Sequence, residues 1–309
     1  MKDLSRYLKE EYNLYKSKCL ALNLPIEPLI FDNYKYELDK YDRLTLVGFE
    51  DWSLVPQDLV IDDVFEVFNI DFKSSPIKSL NSIIINHPIS FGKKTKFSEV
   101  NINYVEMNKV GYITLPLFYN SGIKEFHSEE LRGLGAGVFE NSKLERIYAP
   151  NLTSISGKTF KECNLEEAIF PNLRNISVDG FSSCKNLKKV TLADDTSLAV
   201  FLFYQCDNLK YFNGAVYTDI CPGNCFSLSG LEEIDMRNVT EILCGAFYRS
   251  KLRKIILSNK LVFVDYSAFE DVKNLEIDFY GSKEEFDNIK VNQFNDSFLN
   301  AKVNFLGNK

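Results

Sequence analysis

The chain is 309 residues long, 45% apolar and 14% aromatic, which is material for a sizeable core and a length suited to about two domains. Its formal net charge of −7 and pI near 5.2 exclude phosphate-backbone binding as the main task, because that needs clustered Lys and Arg. No window approaches the roughly 18 uncharged apolar residues of a membrane span, and MKDLSRYLKEEYNLYKSKCL carries charges throughout, where a secretory signal needs about 7 to 15 unbroken apolar residues.

At the N-terminus, Leu4, Leu8, Tyr12, Tyr15 and Cys19 fall on one stripe at helical spacing, with Lys, Asp and Glu elsewhere. This predicts an amphipathic helix that Pro25 and Pro28 bring to an end. LTLVGF (44–49) and LVIDDVFEVFNIDF (59–72) are rich in β-branched and aromatic residues and predict short strands. Residues 1–75 are therefore expected to form an N-terminal α/β capping domain. Leu80, Ile83, Ile85 and Ile89 follow as a worn first repeat without its Phe, as expected where one face of a repeat meets a cap instead of a neighbour.

From there the phenylalanines keep a beat. Phe97, Phe118, Phe139, Phe160, Phe181, Phe203, Phe226, Phe247 and Phe269 are separated by 21, 21, 21, 21, 22, 23, 21 and 22 residues. Further apolar residues align on each Phe: Val100, Ile102, Val105, Val110 and Ile113, then Ile123, Phe126, Leu131 and Leu134, then Leu144, Ile147, Leu152 and Ile155. A unit of this length cannot bury such a face alone, so the repeats must stack around one continuous core.

GVFENSKLERIYAPNLTSIS (137–156), KTFKECNLEEAIFPNLRNIS (158–177) and GAFYRSKLRKIILSNKLVFV (245–264) resemble the BspA-like class of leucine-rich repeats. The resemblance covers about residues 97–306, because IDFYGSKEEFDNIKVNQFNDSFLNAKVNF (277–305) is similar to the closing segment of bacterial members. It implies an α/β repeat solenoid, a right-handed leucine-rich repeat with a parallel β-sheet face and α/β caps at both ends. The expected division is a cap over 1–75, a solenoid of eight or nine clear repeats over 76–276, and a C-terminal cap over 277–309. Bacterial relatives are often surface proteins with signals and anchors. This N-terminus shows no such signal, which leaves an intracellular protein, a phage virion component that needs no signal, or a mature form whose leader was removed. Met1 counts against the third, and the expected location is the cytoplasm or an assembled phage virion.

Seven cysteines raise the question of metal or disulfides. Cys163, Cys184 and Cys206 occupy the same slot, three residues after Phe160, Phe181 and Phe203, and the family pattern also has Cys there. A column of small buried thiols is expected. An odd total without an export signal predicts free thiols. Cys221 and Cys225 in CPGNC are drawn together by a turn, with Cys206 and Cys244 in adjoining repeats, but C-x3-C without a nearby His is a poor zinc signature.

Catalytic machinery is not legible. His87 and His127 lie in no metal or catalytic motif, and GLGAG (133–137) reads as a repeat turn, not a dinucleotide loop. Glu232 and Glu233 read as a solvated stretch, and the N-x-S/T triplets at Asn151, Asn175, Asn238 and Asn295 as turn asparagines. No catalytic residue, metal or cofactor is assigned.

Alternation along each strand places two outward columns on the sheet. The first runs Tyr104, Glu125, Arg146, Glu167, Lys189, Tyr211, Glu233, Lys254 and Glu276. Its alternating signs are expected to pair between neighbouring strands, each exposed pair worth roughly 0 to 1 kcal/mol. The second runs Glu106, His127, Tyr148, Ile169, Thr191, Asn213, Asp235, Ile256 and Asp278. Its uncharged middle, Tyr148, Ile169, Thr191 and Asn213 with Tyr211 alongside, has the composition of an interface centre with a polar rim. High β-propensity places the same residue types on any sheet, so both readings stand at the level of sequence.

The expected role is non-catalytic recognition of another protein, or of a surface glycan, through the sheet face. The alternatives are a structural or receptor-binding component of a phage virion, and an enzyme whose chemistry lies in the N-terminal domain.

Overall fold

The structure is a computed structural model, and it describes residues 2–61, 64–215 and 217–307. Asp62 and Asp63, inside the segment 59–72, lie outside the described residues, as do Met1, Val216, Asn308 and Lys309.

The helix α1 spans Lys2–Ala21 and buries Leu8, Tyr12 and Cys19 against the core, with Leu4 and Tyr15 half-buried. It ends before either proline. Asn23 adopts φ 55°, and the amides of Asn23 and Leu24 turn back to the carbonyls of Leu20 (3.3 Å) and Cys19 (2.9 Å). This is a Schellman closure with Asn in the place usually held by Gly, so Pro25 only follows an end already made. An antiparallel hairpin comes next, Leu29–Phe31 with Tyr34–Leu38. Asp32 and Asn33 turn its corner with φ 45° and 68°, the left-handed pair that matches the twist of two strands. Leu44–Phe49 completes the antiparallel part.

From that strand onward the pairing is parallel, and the chain winds as a solenoid of about twelve turns. Each full turn gives one strand to a front sheet and a shorter one to a back sheet. Parallel pairing already begins with Asp58–Val60 on the front and Val67–Phe68 on the back, ahead of residue 76. The repeat around Leu80 also has its aromatic. Phe72, 25 residues before Phe97, stacks on it at 5.0 Å, so the reading of a first repeat without Phe is corrected. The irregular spacing hid the ring.

The Phe beat is the axis of the core. Neighbouring rings from Phe97 to Phe269 are all fully buried and stack with centroids 5.2 to 5.6 Å apart. That spacing slightly exceeds the ~4.8 Å between strands, so the rings sit offset, the arrangement their quadrupoles favour. Beside the rings runs a backbone ladder. The amides of Phe97, Phe118, Phe139, Phe160, Phe181, Phe203, Phe226 and Phe247 each donate to a carbonyl one repeat ahead, at 2.8 to 3.1 Å. The last, Phe269, donates instead to Oδ1 of Asn295 at 2.9 Å, and Phe298 covers its ring at 5.2 Å. The closing segment carries two short helices, Lys283–Asp287 and Asp296–Leu299, and its strands Glu276–Tyr280 and Lys302–Phe305 extend the front sheet.

Neither sheet is continuous. The front is divided between Arg146–Tyr148 and Glu167–Phe170, and again between Tyr211–Asn213 and Glu233–Asp235. The back is divided elsewhere, between Ser90–Phe91 and Tyr112–Ile113 and between Asn175–Ile176 and Ile220–Cys221. At each front gap the back strands of the same turns remain paired, Ser154–Ile155 with Asn175–Ile176 and Ile220–Cys221 with Glu241–Ile242.

Candidate binding face

The front sheet carries both outward columns in the expected register inside each of its pieces. Tyr104, Glu125 and Arg146 are direct partners, as are Glu167, Lys189 and Tyr211, and then Glu233, Lys254 and Glu276. The charges of the first column pair less regularly than expected. Arg146 bonds to Glu125, but no ion pair joins Arg146 to Glu167 or Glu167 to Lys189 among the described residues. The first of these would cross the gap. Lys254 reaches past its own column to Asp278 at 2.9 Å and stands 4.0 Å from Glu233. The expectation of a continuous charge ladder is therefore corrected: it stops at Arg146 before the first gap, stays unpaired between Glu167 and Lys189 although their strands are hydrogen-bonded, and borrows from the second column at the C-terminal end.

The structure brings Ile169, Thr191 and Asn213 into one register on a three-stranded sheet, with Tyr211 beside Asn213. Tyr148 stands on the other side of the first gap. Tyr148, Ile169 and Tyr211 are 49%, 48% and 68% exposed, Asn213 is exposed and Thr191 half-buried. His127 packs its ring on Tyr148 with centroids 4.5 Å apart, so the strip begins one residue earlier than the uncharged run.

Two residues of the site escape sequence reasoning. In most turns the inward residue between the two outward columns is fully covered, as Val105, Phe126, Ala168 and Val190 are. Ile147 and Phe212, each on the strand before a front gap, are only partly buried because no strand lies alongside to cover them. A groove of about 490 Å³ opens at the first gap, lined by Ile147, Tyr148 and Ile169 among others. One of about 960 Å³ opens at the second, where Phe212 meets Arg237, Lys260 and Tyr280. The second gap has a trace in the sequence, the 23-residue interval between Phe203 and Phe226. The first has none, since both neighbouring intervals are 21.

Away from the front face, the seven cysteines are unpaired thiols, all buried except Cys244. Cys163, Cys184 and Cys206 donate to the carbonyls of Phe139, Phe160 and Phe181 at 2.9, 2.9 and 3.2 Å. Ser121, Ser142, Ser229 and Ser250 fill the same slot in other turns, also buried. Burial pushes the Cys163 and Cys206 thiols up to about 12, so they are poor nucleophiles at neutral pH. Gly133 of GLGAG lies in the back strand Gly133–Leu134, and only Gly137, at φ 63°, makes the turn.

The description "BspA type Leucine rich repeat region" matches residues 71–166 and 153–276, in six copies. The chain belongs to the BspA-type leucine-rich repeat family. Repeats of this family serve typically as protein-interaction scaffolds. Among solved structures, this BspA-type chain is similar to a leucine-rich repeat protein from Eubacterium ventriosum at 15% identity, with 82% of this chain and 72% of that one covered and a TM-score of 0.43. A leucine-rich repeat protein from Bacteroides ovatus gives 16% identity, 91% and 78% coverage and a TM-score of 0.41. A leucine rich cell surface protein from Faecalibacterium prausnitzii gives 14%, 87% and 98%, and 0.35. No curated protein matches the chain. No helix among the described residues is long and apolar enough to cross a membrane.

Proposed function

We propose that the protein is a non-catalytic recognition scaffold that binds another protein through its front sheet, with Tyr148, Ile169, Thr191, Tyr211 and Asn213 at the centre of the contact. Residues 1–75 and 277–309 act as its caps, the first of them ending in strands, from Asp58 on, that already pair as the repeats do. The observation that carries this reading is the exposure of Tyr148, Ile169 and Tyr211 on one face, between Glu106 at one end of the second column and Asp235 and Asp278 at the other. Aromatic and apolar groups ringed by charge are what an interface centre offers, since the rim excludes water from the contacts that carry most of the affinity.

The test is a partner captured on the intact chain and then measured against variants. Tyr148→Ala, Ile169→Asp and Tyr211→Ala are each expected to weaken binding by more than about 1 kcal/mol with the thermal midpoint unchanged. Arg146→Glu is expected to act on stability instead, because it leaves Glu125 facing a like charge. Affinity retained in all three variants would move the site to the back, an edge or the N-terminal cap.

A further inference from the structure

The first front gap is where backbone, apolar surface and charge coincide. Arg146–Tyr148 and Glu167–Phe170 end separate sheets and share no ladder, so each turns a strand edge toward the groove of about 490 Å³ between them. Strand edges are templates for another extended chain, because their amides and carbonyls are spaced to pair with one. The groove also has apolar contacts to offer: Ile169 and Tyr148 are exposed and Ile147 is partly uncovered. Its rim is acidic. Glu125, Glu145, Glu166 and Glu167 line it against Arg146 and the imidazole of His127. Arg146 is taken up by Glu125 and Glu166 by Lys188 at 3.1 Å, whereas Glu145 and Glu167 make no ion pair among the described residues.

We propose that this gap receives an extended cationic segment of the partner protein. Its backbone lies along the strand edges, its Lys or Arg side chains face outward with Glu167 and Ile169 and reach Glu145 and Glu167, and its apolar side chains turn inward to cover Ile147. The proposal rests on the front sheet being the recognition face and adds the chemistry of what is recognised. A saccharide has no regular run of donors and acceptors to match a strand edge. The second gap carries no such preference of sign, since Lys189 and Lys210 stand among Glu232 and Glu233 there.

The experiment uses the full chain and labelled synthetic peptides of about seven residues, a common strand length. Lys or Arg alternates with Leu, Ile or Val, and a matched set has Glu at every cationic position. Binding is read by fluorescence anisotropy at low and high salt. The cationic set is expected to bind at least tenfold more tightly than the acidic set and to lose most of that margin in about 1 M salt, where the screening length falls to about 3 Å. Glu145→Gln with Glu167→Gln should weaken binding several-fold. The same charge change at the second gap, Glu232→Gln with Glu233→Gln, should leave it unaltered. Equal binding of the two sets, or equal loss in the two double variants, overturns the proposal. If the first double variant is silent while Tyr148→Ala still weakens binding, the cationic chemistry is wrong and the face is right. If both are silent, the reading of the face falls as well.

Discussion

Tyr104 and Glu106 stand on the outward side of one strand, and the phenol donates to Oε2 of Glu106 at 2.7 Å. Burial, with the neighbouring Glu106 carboxylate, pushes the Tyr104 phenol up to about 12. The hydrogen bonds from Tyr104 and Asn86 hold Glu106 below its ordinary value. The two signs differ. A raised phenol contributes stability that is complete below its unfolded value near 10 and is lost as pH rises through about 12. A lowered carboxylate contributes above its unfolded value near 4.3 and fades as pH falls through the folded one. The tyrosine absorbance of wild type minus Tyr104→Phe should therefore show a phenol ionising near 12. In Glu106→Gln that step should move down without reaching the ordinary value, since burial is the larger cause. The thiols make a second test at this scale: native protein should expose Cys244 to a thiol reagent at once, whereas Cys163, Cys184 and Cys206 should react only on unfolding, because their sulfurs are buried and protonated.

At the scale of the repeat, the turn is the unexpected part. Two residues after each Phe of the beat the backbone is left-handed, from Glu99 at φ 64° through Asn120, Asn141, Glu162, Ser183, Gln205, Leu228 and Arg249 to Asp271 at 59°. Left-handed backbone costs an ordinary residue about 1 to 2 kcal/mol, and Asn is among the side chains that tolerate it. Glu162 is exposed and its side chain has no hydrogen-bond partner among the described residues, so Glu162→Asn should raise the thermal midpoint by the equivalent of about 0.5 kcal/mol, and β-branched Glu162→Val should lower it. The beat itself was legible because each ring must meet the next across one turn, which fixes the spacing. Phe72 and Phe298 do the same work at intervals of 25 and 29 residues and were not legible, since stacking constrains the ring and leaves the connecting loop free. The outward register was readable for the same reason as the core, strict alternation. The first gap was not, because Ile147 looks like any other core position and the Phe interval there stays at 21, and the second left only the 23-residue interval between Phe203 and Phe226.

For the whole molecule, the ends decide whether the stack survives. The Phe amide ladder closes on the side chain of Asn295, whose Nδ2 donates in turn to the carbonyls of Asp265 (2.8 Å) and Asn292 (2.9 Å). Asn295→Ala should cost about 1 to 3 kcal/mol through the stranded amide and carbonyls, seen in chemical denaturation. Deleting 277–309 should aggregate the chain, since the Phe269 turn would meet water. Position 295 also opens one of the N-x-S/T triplets, and its burial makes that amide inaccessible in the folded chain. The staggered gaps have a mechanical reading. Where the front sheet is cut the back sheet runs through, and where the back is cut the front does, so no cross-section is without a hydrogen-bonded layer. A rod jointed in this way has compliance without a weak plane: bent backward it yields at two places on the front, bent forward at two on the back, and pulled along its axis it has no single section at which to part.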